Sequence, residues 1–393
     1  MHDTVMNHPL ASDDAVGQVE ALKSLGLSPL LMNRAAALAA EFEDPAAKAD
    51  LAHVADTGPP VLLRVAEVQR EGLTLHDGHA AHAARLLPAL RHHLADSDDA
   101  IAVGDWVLAR RNRLHEWWVA ARVPPATQLA RRLHDGRDKV TRTVIASNVD
   151  TALLVMGLDQ DFNLRRLERY IALVRMAGVT PLVVLSKADT CAMARVHACV
   201  AGVQALLPAD GAVLALNVLS TAPGESPRDR LAPWLDAGET LVLLGSSGAG
   251  KSTLSNALTG TEAQRTGANR DGDNRGRHTT TARSLHRVPG GACLIDTPGL
   301  RTLRLDGDEA ALGAVFDDIA QLAPKCRFRD CQHQAEPGCA VRETVPAARL
   351  GSWQKLQREA RRDAMTALDR KAQQSQWKVR SKASRQRMAD KRS

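Results

Sequence analysis

Residues 240–259 run Thr240-Leu-Val-Leu-Leu244, Gly245-Ser246-Ser247-Gly248-Ala249-Gly250-Lys251-Ser252-Thr253, Leu254-Ser-Asn-Ala-Leu258-Thr259: an apolar stretch, a glycine-rich loop and a helix-like continuation. The loop fits G-x-x-x-x-G-K-[ST]. In that pattern glycines let backbone N–H groups curl around a polyphosphate, the lysine reaches the β/γ oxygens and the hydroxyl after it holds Mg²⁺. Lys251 and Ser252 take those two places, so the segment predicts strand, phosphate loop and helix.

Upstream, Ala152-Leu-Leu-Val-Met156, Pro181-Leu-Val-Val-Leu185 and Ala212-Val-Leu-Ala-Leu216 are short and continuously apolar, as buried parallel strands are. Asn163 caps a predicted helix with Leu167, Ile171 and Val174 on one face and Gly178 at its end. The alternation predicts a doubly wound α/β domain, whose ligands sit at the carboxyl ends of its strands. Those ends are informative. After Leu185 come Ser186, Lys187, Ala188 and Asp189, where a carboxylate can accept both N–H groups that guanine offers and adenine lacks. After Ala292-Cys-Leu-Ile295 comes Asp296-Thr-Pro-Gly299, an aspartate for Mg²⁺ through water and a glycine N–H for a γ-phosphate. Together with Gly276-Arg-His-Thr-Thr-Thr281 these parts predict GTP rather than ATP as the nucleotide.

Residues 60–122 change texture. Val61–Val65, Leu73–Leu75, Ala100–Val103 and Trp117–Ala121 are β-like runs divided by turn signals such as Asp77-Gly78, the pattern of a small OB-type barrel. Trp106, Trp117, Trp118 and Arg110-Arg111 are either core or contacts to nucleic acid. A basic connector (Arg131, Arg132, Arg137, Lys139, Arg142) follows.

Towards the C-terminus an amphipathic helix (Leu312, Val315, Phe316, Ile319, Leu322) precedes Cys326-x₄-Cys331-x-His333-x₅-Cys339. Three thiolates and one imidazole make the closed donor set of a structural zinc site, one ion per chain. Lys325, Arg327 and Arg329 beside the ligands suit phosphates. Ser352 to Arg370 looks helical. Residues 351–393 hold 13 Lys/Arg against 4 Asp/Glu, so a chain of net charge +6 carries its positive excess in this tail and suits a polyanionic partner. No run of eighteen apolar residues occurs and the N-terminus lacks a signal peptide's pattern, from which a cytoplasmic, non-membrane protein is expected.

The order of parts is distinctive: guanine-reading motif, then phosphate loop, then threonine-rich segment and D-T-P-G, a circular permutation of the Ras-like order. With Val103-Gly-Asp-Trp106, Ala146-Ser-Asn-Val-Asp150, Gly276–Thr281 and the cysteine cluster, the chain from about Pro60 to Arg370 resembles the ribosome small-subunit-dependent GTPases. The resemblance implies a multidomain fold: an extension (1–56), an OB-type RNA-binding barrel (57–128), a permuted P-loop G domain (129–304), a helical zinc module (305–370) and a basic tail (371–393). It implies a monomeric GTP hydrolase that binds the small ribosomal subunit and its rRNA late in assembly and cycles between GTP and GDP. Leu300 stands where Ras-type enzymes have a water-orienting glutamine. The resemblance gives that task to His278, with Thr280 joining Ser252 and Asp296 around Mg²⁺; a structural or RNA-facing His278 stays open. Ser186 in place of Asn or Thr is expected to remove an amide that would brace the base and the phosphate loop, with Asp189 preserving guanine selectivity. A non-catalytic RNA-binding module with a structural nucleotide, and a P-loop ATPase, are the competing readings.

Overall fold

The computed structural model describes residues 13–43, 59–69, 71–134, 140–260, 283–297 and 316–364. His278, Thr280, Gly299, Leu300, Leu312, Val315 and the tail from Lys371 lie outside them. The chain divides into two compact units, Met1–Arg131 with Arg142–Leu303, and Arg132–Thr141 with Arg304–Ser393.

The first unit opens with two helices, α1 (Asp13–Lys23) and α2 (Pro29–Glu43), joined by a tight turn. Leu22, Leu25, Leu27, Leu31 and Ala35 are buried, so this pair, from which sequence predicted little, carries an apolar face into the unit. Next come β1 (Val61–Val68), β2 (Leu73–His76), β3 (Ala81–Leu86), α3 (Pro88–Asp96), β4 (Trp106–Arg111) and β5 (Trp117–Arg122). They pair in the order β1-β2-β3-β5-β4, and β4 returns to β1 with Leu63 opposite Val107. Only the β3–β5 pair is parallel. This is a closed five-stranded barrel of OB type, filled by Leu63, Val65, Leu75, Val107, Ala109 and Val119 from alternate positions. Closure leaves no free edge within the barrel.

Two expectations for the barrel change. Ala100–Val103 is not a strand: Ile101, Ala102 and Val103 are buried in a turn that leads to Gly104, and the ladder begins only at Trp106. The strand β3, Ala-His-Ala-Ala-Arg-Leu, has too weak an apolar alternation to read in sequence, yet it supplies the parallel pairing that closes the barrel. Of the tryptophans, Trp106 is fully buried and Trp117 packs in the barrel core, while Trp118 is half-buried. Arg111 lies over the Trp117 ring at 4.5 Å and Arg85 over Trp118 at 5.9 Å. Of the expected basic connector, Arg131 and Arg132 lie on β6 (Gln128–His134) and Arg142 on β7 (Val140–Ser147), two strands that pair with each other, while Arg137 and Lys139 lie outside the described residues.

Beyond it lie β8 (Thr151–Gly157), α4 (Leu164–Met176), β9 (Thr180–Ser186), α5 (Met193–Gln204), β10 (Ala212–Ala215), α6 (Pro227–Leu231), β11 (Thr240–Gly245), α7 (Lys251–Thr259), β12 (Ser284–Arg287) and β13 (Cys293–Asp296). Their order is β10-β9-β8-β11-β13-β12, parallel except for β12 against β13. β8, β9 and β11 are buried almost throughout, which is why they appear in sequence as unbroken apolar runs. Asn163 caps α4, its side chain accepting from the Arg166 N–H at 3.0 Å, as expected. One bridge, Glu67 opposite Ser284, joins β12 to β1, so barrel and α/β sheet are continuous.

The weld between barrel and α/β domain is the turn Val103–Asp105. The Ser147 N–H donates to the Val103 carbonyl at 3.0 Å and Asn148 Nδ2 to the Gly104 carbonyl at 3.0 Å. The fully buried Arg64 guanidinium donates to the carbonyls of Leu25, Gly104 and Asn148. One side chain thereby ties helical pair, barrel and α/β domain through backbone acceptors. Asp105, buried beside Arg122 at 3.1 Å, has its carboxyl pushed up to about 6 by burial.

The second unit contains α8 (Asp317–Leu322), α9 (Ala340–Thr344) and α10 (Ala347–Ala364). Phe316 precedes α8 in a non-helical conformation, Ile319 and Leu322 of the predicted amphipathic helix lie on α8 while its Leu312 and Val315 lie outside the described residues, and α10 begins five residues before Ser352. Arg349 of α10 forks onto Asp318 of α8 at 2.6 and 2.8 Å and lies over the Phe316 ring at 4.9 Å.

Gly104 has φ +92°, and a Cβ there would run into the Ser147 carbonyl oxygen and come within 3.1 Å of Ile295 Cδ1. Gly104→Ala is expected to destabilise the protein by about 2 kcal/mol or more, because a left-handed alanine and a backbone collision coincide. A thermal midpoint lowered by at least about 4 °C is the readout for a unit of this size; an unchanged midpoint contradicts the weld.

Candidate nucleotide site and metal centre

Three loops meet at the carboxyl edge of the parallel sheet. The phosphate loop leaves β11 at Gly245 and enters α7 at Lys251, with Gly248 and Gly250 at φ +83° and +92°. Left-handed backbone at these points turns successive N–H groups into a concave face and aims them, with the N-terminus of α7, at one anion position. Lys251 is buried; its Nζ donates to the carbonyls of Gly245 at 3.1 Å and Ser246 at 2.7 Å. Burial pushes its ammonium below the ordinary lysine range, against the pull of Asp296 and Asp161. A buried cation held mainly by carbonyls is electrostatically poised for an anionic ligand. Ser252 is half-buried and Ser247 and Gly248 are exposed.

The second loop follows β9. Ser186 is fully buried and Lys187 takes a left-handed conformation, φ +59°. Asp189 stands exposed on the short turn Ala188–Thr190. Ser186 corrects one expectation: its Oγ donates to the Ala249 carbonyl of the phosphate loop at 2.7 Å, so a hydroxyl supplies the brace. A Cβ on Gly250 would lie 3.6 Å from Ser186 Oγ and 3.8 Å from Val218 Cγ2, so phosphate loop, guanine-side loop and the Asn217–Ser220 turn converge. That turn is held by the Leu219 N–H donating to Asn217 Oδ1 at 2.9 Å.

The third loop follows β13. Asp296 is buried at its end and Thr297 Oγ1 donates to the Leu243 carbonyl of β11 at 2.6 Å, tying the first two residues of the D-T-P-G segment to the strand that leads into the phosphate loop. Lys251, Ser252, Asp296, Ser186 and Asp189 are therefore at one sheet edge, whereas Gly299, His278 and Thr280 lie outside the described residues. Sequence reading missed the turn between β8 and α4, whose Asp161 accepts from Ser246 Oγ at 2.7 Å. An aspartate pair just past a buried strand was its only signal. A cavity of about 560 Å³ between α2, α3 and β5 is lined by none of these residues.

In the second unit Cys326, Cys331, His333 and Cys339 bring one donor atom each within 4.8 Å of one another. Cys326 Sγ lies 3.9 Å from Cys339 Sγ and 3.6 Å from His333 Nδ1, which is 3.4 Å from Cys339 Sγ. A tetrahedron with metal–sulfur bonds of about 2.3 Å has edges of about 3.7 Å, so this set fits a metal ion. The sulfurs are far beyond the separation of about 2.05 Å of a disulfide. His333 is buried, its ring against Trp353 at 5.6 Å and its carbonyl accepting from Gln354 Nε2 at 2.9 Å, so α10 orients the imidazole. Lys325, just before the first ligand, and Arg327, Phe328 and Arg329, between the first two, are exposed.

The RsgA GTPase family model matches residues 124–306. An ABC transporter model matches 230–389, which shares the phosphate loop but leaves out Ser186–Asp189. The chain is 42% identical over 342 residues to the small ribosomal subunit biogenesis GTPase RsgA of Xanthomonas campestris pv. campestris strain B100, covering 86% of this chain and 90% of that protein. It is 42% identical over 321 residues to the RsgA of Xanthomonas axonopodis pv. citri, covering 80% and 85%. Crystal structures of YloQ, a circularly permuted GTPase (TM-score 0.52, 22% identity), and of YjeQ from Thermotoga maritima (0.55, 19%) share the fold. They cover 80% and 77% of this chain and 98% of each of those chains.

The purified protein is expected to carry about one equivalent of a thiophilic divalent ion by elemental analysis, as a closed Cys₃His set requires. Cys331→Ser should lower that occupancy severalfold and expose α10 to proteolysis; full occupancy in the variant would exclude this donor set.

Proposed function

The chain belongs to the RsgA GTPase family, and on that premise we propose that it binds the small ribosomal subunit late in its maturation, hydrolyses GTP to GDP and phosphate there, and then leaves. The observation that carries this reading is the hydrogen bond from Ser186 to Ala249, because it joins a loop suited to guanine to a loop suited to phosphates. Asp189, exposed beside it, accepts the two guanine N–H groups. Gly245–Thr253 wraps the phosphates, Lys251 neutralises the β/γ oxygens, and Ser252, Asp296 and Thr280 hold Mg²⁺, whose role when bound is to offset charge on the transferring phosphoryl group. His278 orients the attacking water in place of the glutamine that Leu300 replaces, and Gly299 contacts the γ-phosphate.

Division of labour follows the segments. The barrel (57–128) and the Cys₃His module (305–370) grip structured rRNA on behalf of the G domain (129–304), with zinc as the structural ion and Lys325, Arg327 and Arg329 directed to phosphates. Within the extension (1–56), the described helices of 13–43 bury an apolar face in the first unit, and the basic tail (371–393) adds electrostatic attraction to RNA. Among the described residues no helix is long and apolar enough to cross a membrane.

His278→Ala tests the assignment of the water-orienting group. GTP turnover in the presence of purified small subunits should fall by about 100-fold, the scale of a lost general acid–base or orienting group, while GDP affinity stays within about 3-fold. Turnover that survives the substitution removes His278 from the reaction.

A further inference from the structure

β8 lies between β11 and β9, with Val155 opposite Gly245 and Gly157 opposite Ser186. The turn that leaves β8 is therefore flanked by the phosphate loop on one side and the guanine-side loop on the other. It runs Gly157-Leu-Asp159-Gln-Asp161-Phe-Asn163, and its two carboxylates reach opposite ways.

Asp161 accepts from Ser246 Oγ at 2.7 Å on each of its oxygens, and from the Gly157 N–H at 3.3 Å. Arg166, one turn into α4, donates to the Asp161 carboxylate and carbonyl, so the acceptor is anchored from behind. Asp159 accepts from Lys187 Nζ at 2.6 Å, and the ammonium holds its carboxyl below the ordinary range. Asp159 Oδ1 also accepts from the Asp161 N–H at 3.0 Å, which links the two carboxylates through the turn itself. A Cβ on Gly157 would sit 2.6 Å from Asp159 Oδ1, so the turn is packed against its own strand end and has little room to move as one carboxylate lets go.

We propose that the Gly157–Asn163 turn is a strap that positions the nucleotide site: Asp161 sets the first turn of the phosphate loop through Ser246, Asp159 sets the guanine-side loop through Lys187, and base and phosphates are held as one unit. The inference rests on the GTPase reading and deepens it. Both residues act through others, so they are positioning residues. The phosphate loop is rich in glycine and costs entropy to order. A charge-assisted hydrogen bond on its first residue lowers that cost before the nucleotide arrives. Lys187, tied at its head by Asp159, presents its alkyl stem along a fixed line beside Asp189, where a free lysine would sample many rotamers.

The test is nucleotide affinity of the full-length protein, read with fluorescent GDP and a non-hydrolysable GTP analogue, alongside the thermal midpoint. Asp161→Ala and Ser246→Ala should each weaken both nucleotides by about 10-fold, the scale of one charge-assisted hydrogen bond. The double variant should be no weaker than either single one, since both remove the same bond. Asp161→Asn, which keeps an oxygen acceptor, should recover most of the loss. Asp159→Ala should weaken GDP by about 5-fold while the nucleotide-free midpoint stays put. In subunit-stimulated turnover the Asp161→Ala loss should appear in KM with kcat within about 2-fold of wild type. Additive losses, unchanged affinity in Ser246→Ala, or tighter binding in Asp161→Ala would each overturn the strap. A wild-type protein that binds no guanine nucleotide would instead overturn the GTPase reading beneath it.

Discussion

The register of three parallel strands governs this molecule. Because Val155 of β8 faces Gly245 of β11 and Gly157 of β8 faces Ser186 of β9, the sheet delivers its phosphate loop, its guanine-side loop and the turn between them to one edge. Parallel pairing makes this general, since strand ends that share a direction share an edge and the loops beyond them converge. A slip of one residue would turn Ser186 away from Ala249 and Ser246 away from Asp161, and would move buried side chains of β8 to its other face. The permuted chain order leaves that geometry alone. It changes which loop is synthesised first, while the strand order that places the loops is set by burial of Leu153, Val155, Leu182, Val184, Leu241 and Leu243 in one core.

The same logic extends to the barrel. A single bridge between β12 and β1 would be a weak tether, but the Val103–Asp105 turn inserts against Ser147 and Asn148, and Arg64 fills the join with donors to three carbonyls. A buried guanidinium is costly unless its donors find acceptors, so this contact is specific rather than adhesive. The carboxyl edge of the parallel sheet and the barrel thus belong to one continuous β framework within the first unit. The second unit follows a different rule: in a short segment with few apolar anchors, four side chains that could hold a metal ion converge.

Much of this was legible in the chain. The phosphate loop, the guanine-side motif and the Cys₃His spacing are read directly, because each demands particular residue types at fixed intervals. Buried parallel strands were equally plain, and Asn163 marked its helix. What was hidden depended on tertiary placement. Ser186 looked like a lost brace, since sequence does not show that a short hydroxyl lies within reach of the Ala249 carbonyl. β3 lacked a clean alternation because only Ala84 of its six residues is buried. Ala100–Val103 imitated a strand by being apolar, though its burial serves a turn. Beyond their place just past a buried strand, nothing in the sequence singled out Asp159 and Asp161, because only the register of β8 sets them between the loops that follow β11 and β9.

The central claim is that this is a guanine-specific hydrolase switched by the small ribosomal subunit. The most direct measurement is phosphate release from GTP, with ATP as control, by the wild-type protein with and without purified small subunits. The account predicts slow turnover of GTP alone, a rise of at least about 10-fold on adding subunits, as expected when a partner orders a switch, and no response with ATP. Equal turnover of ATP and GTP, or a GTP rate indifferent to subunits, would contradict it.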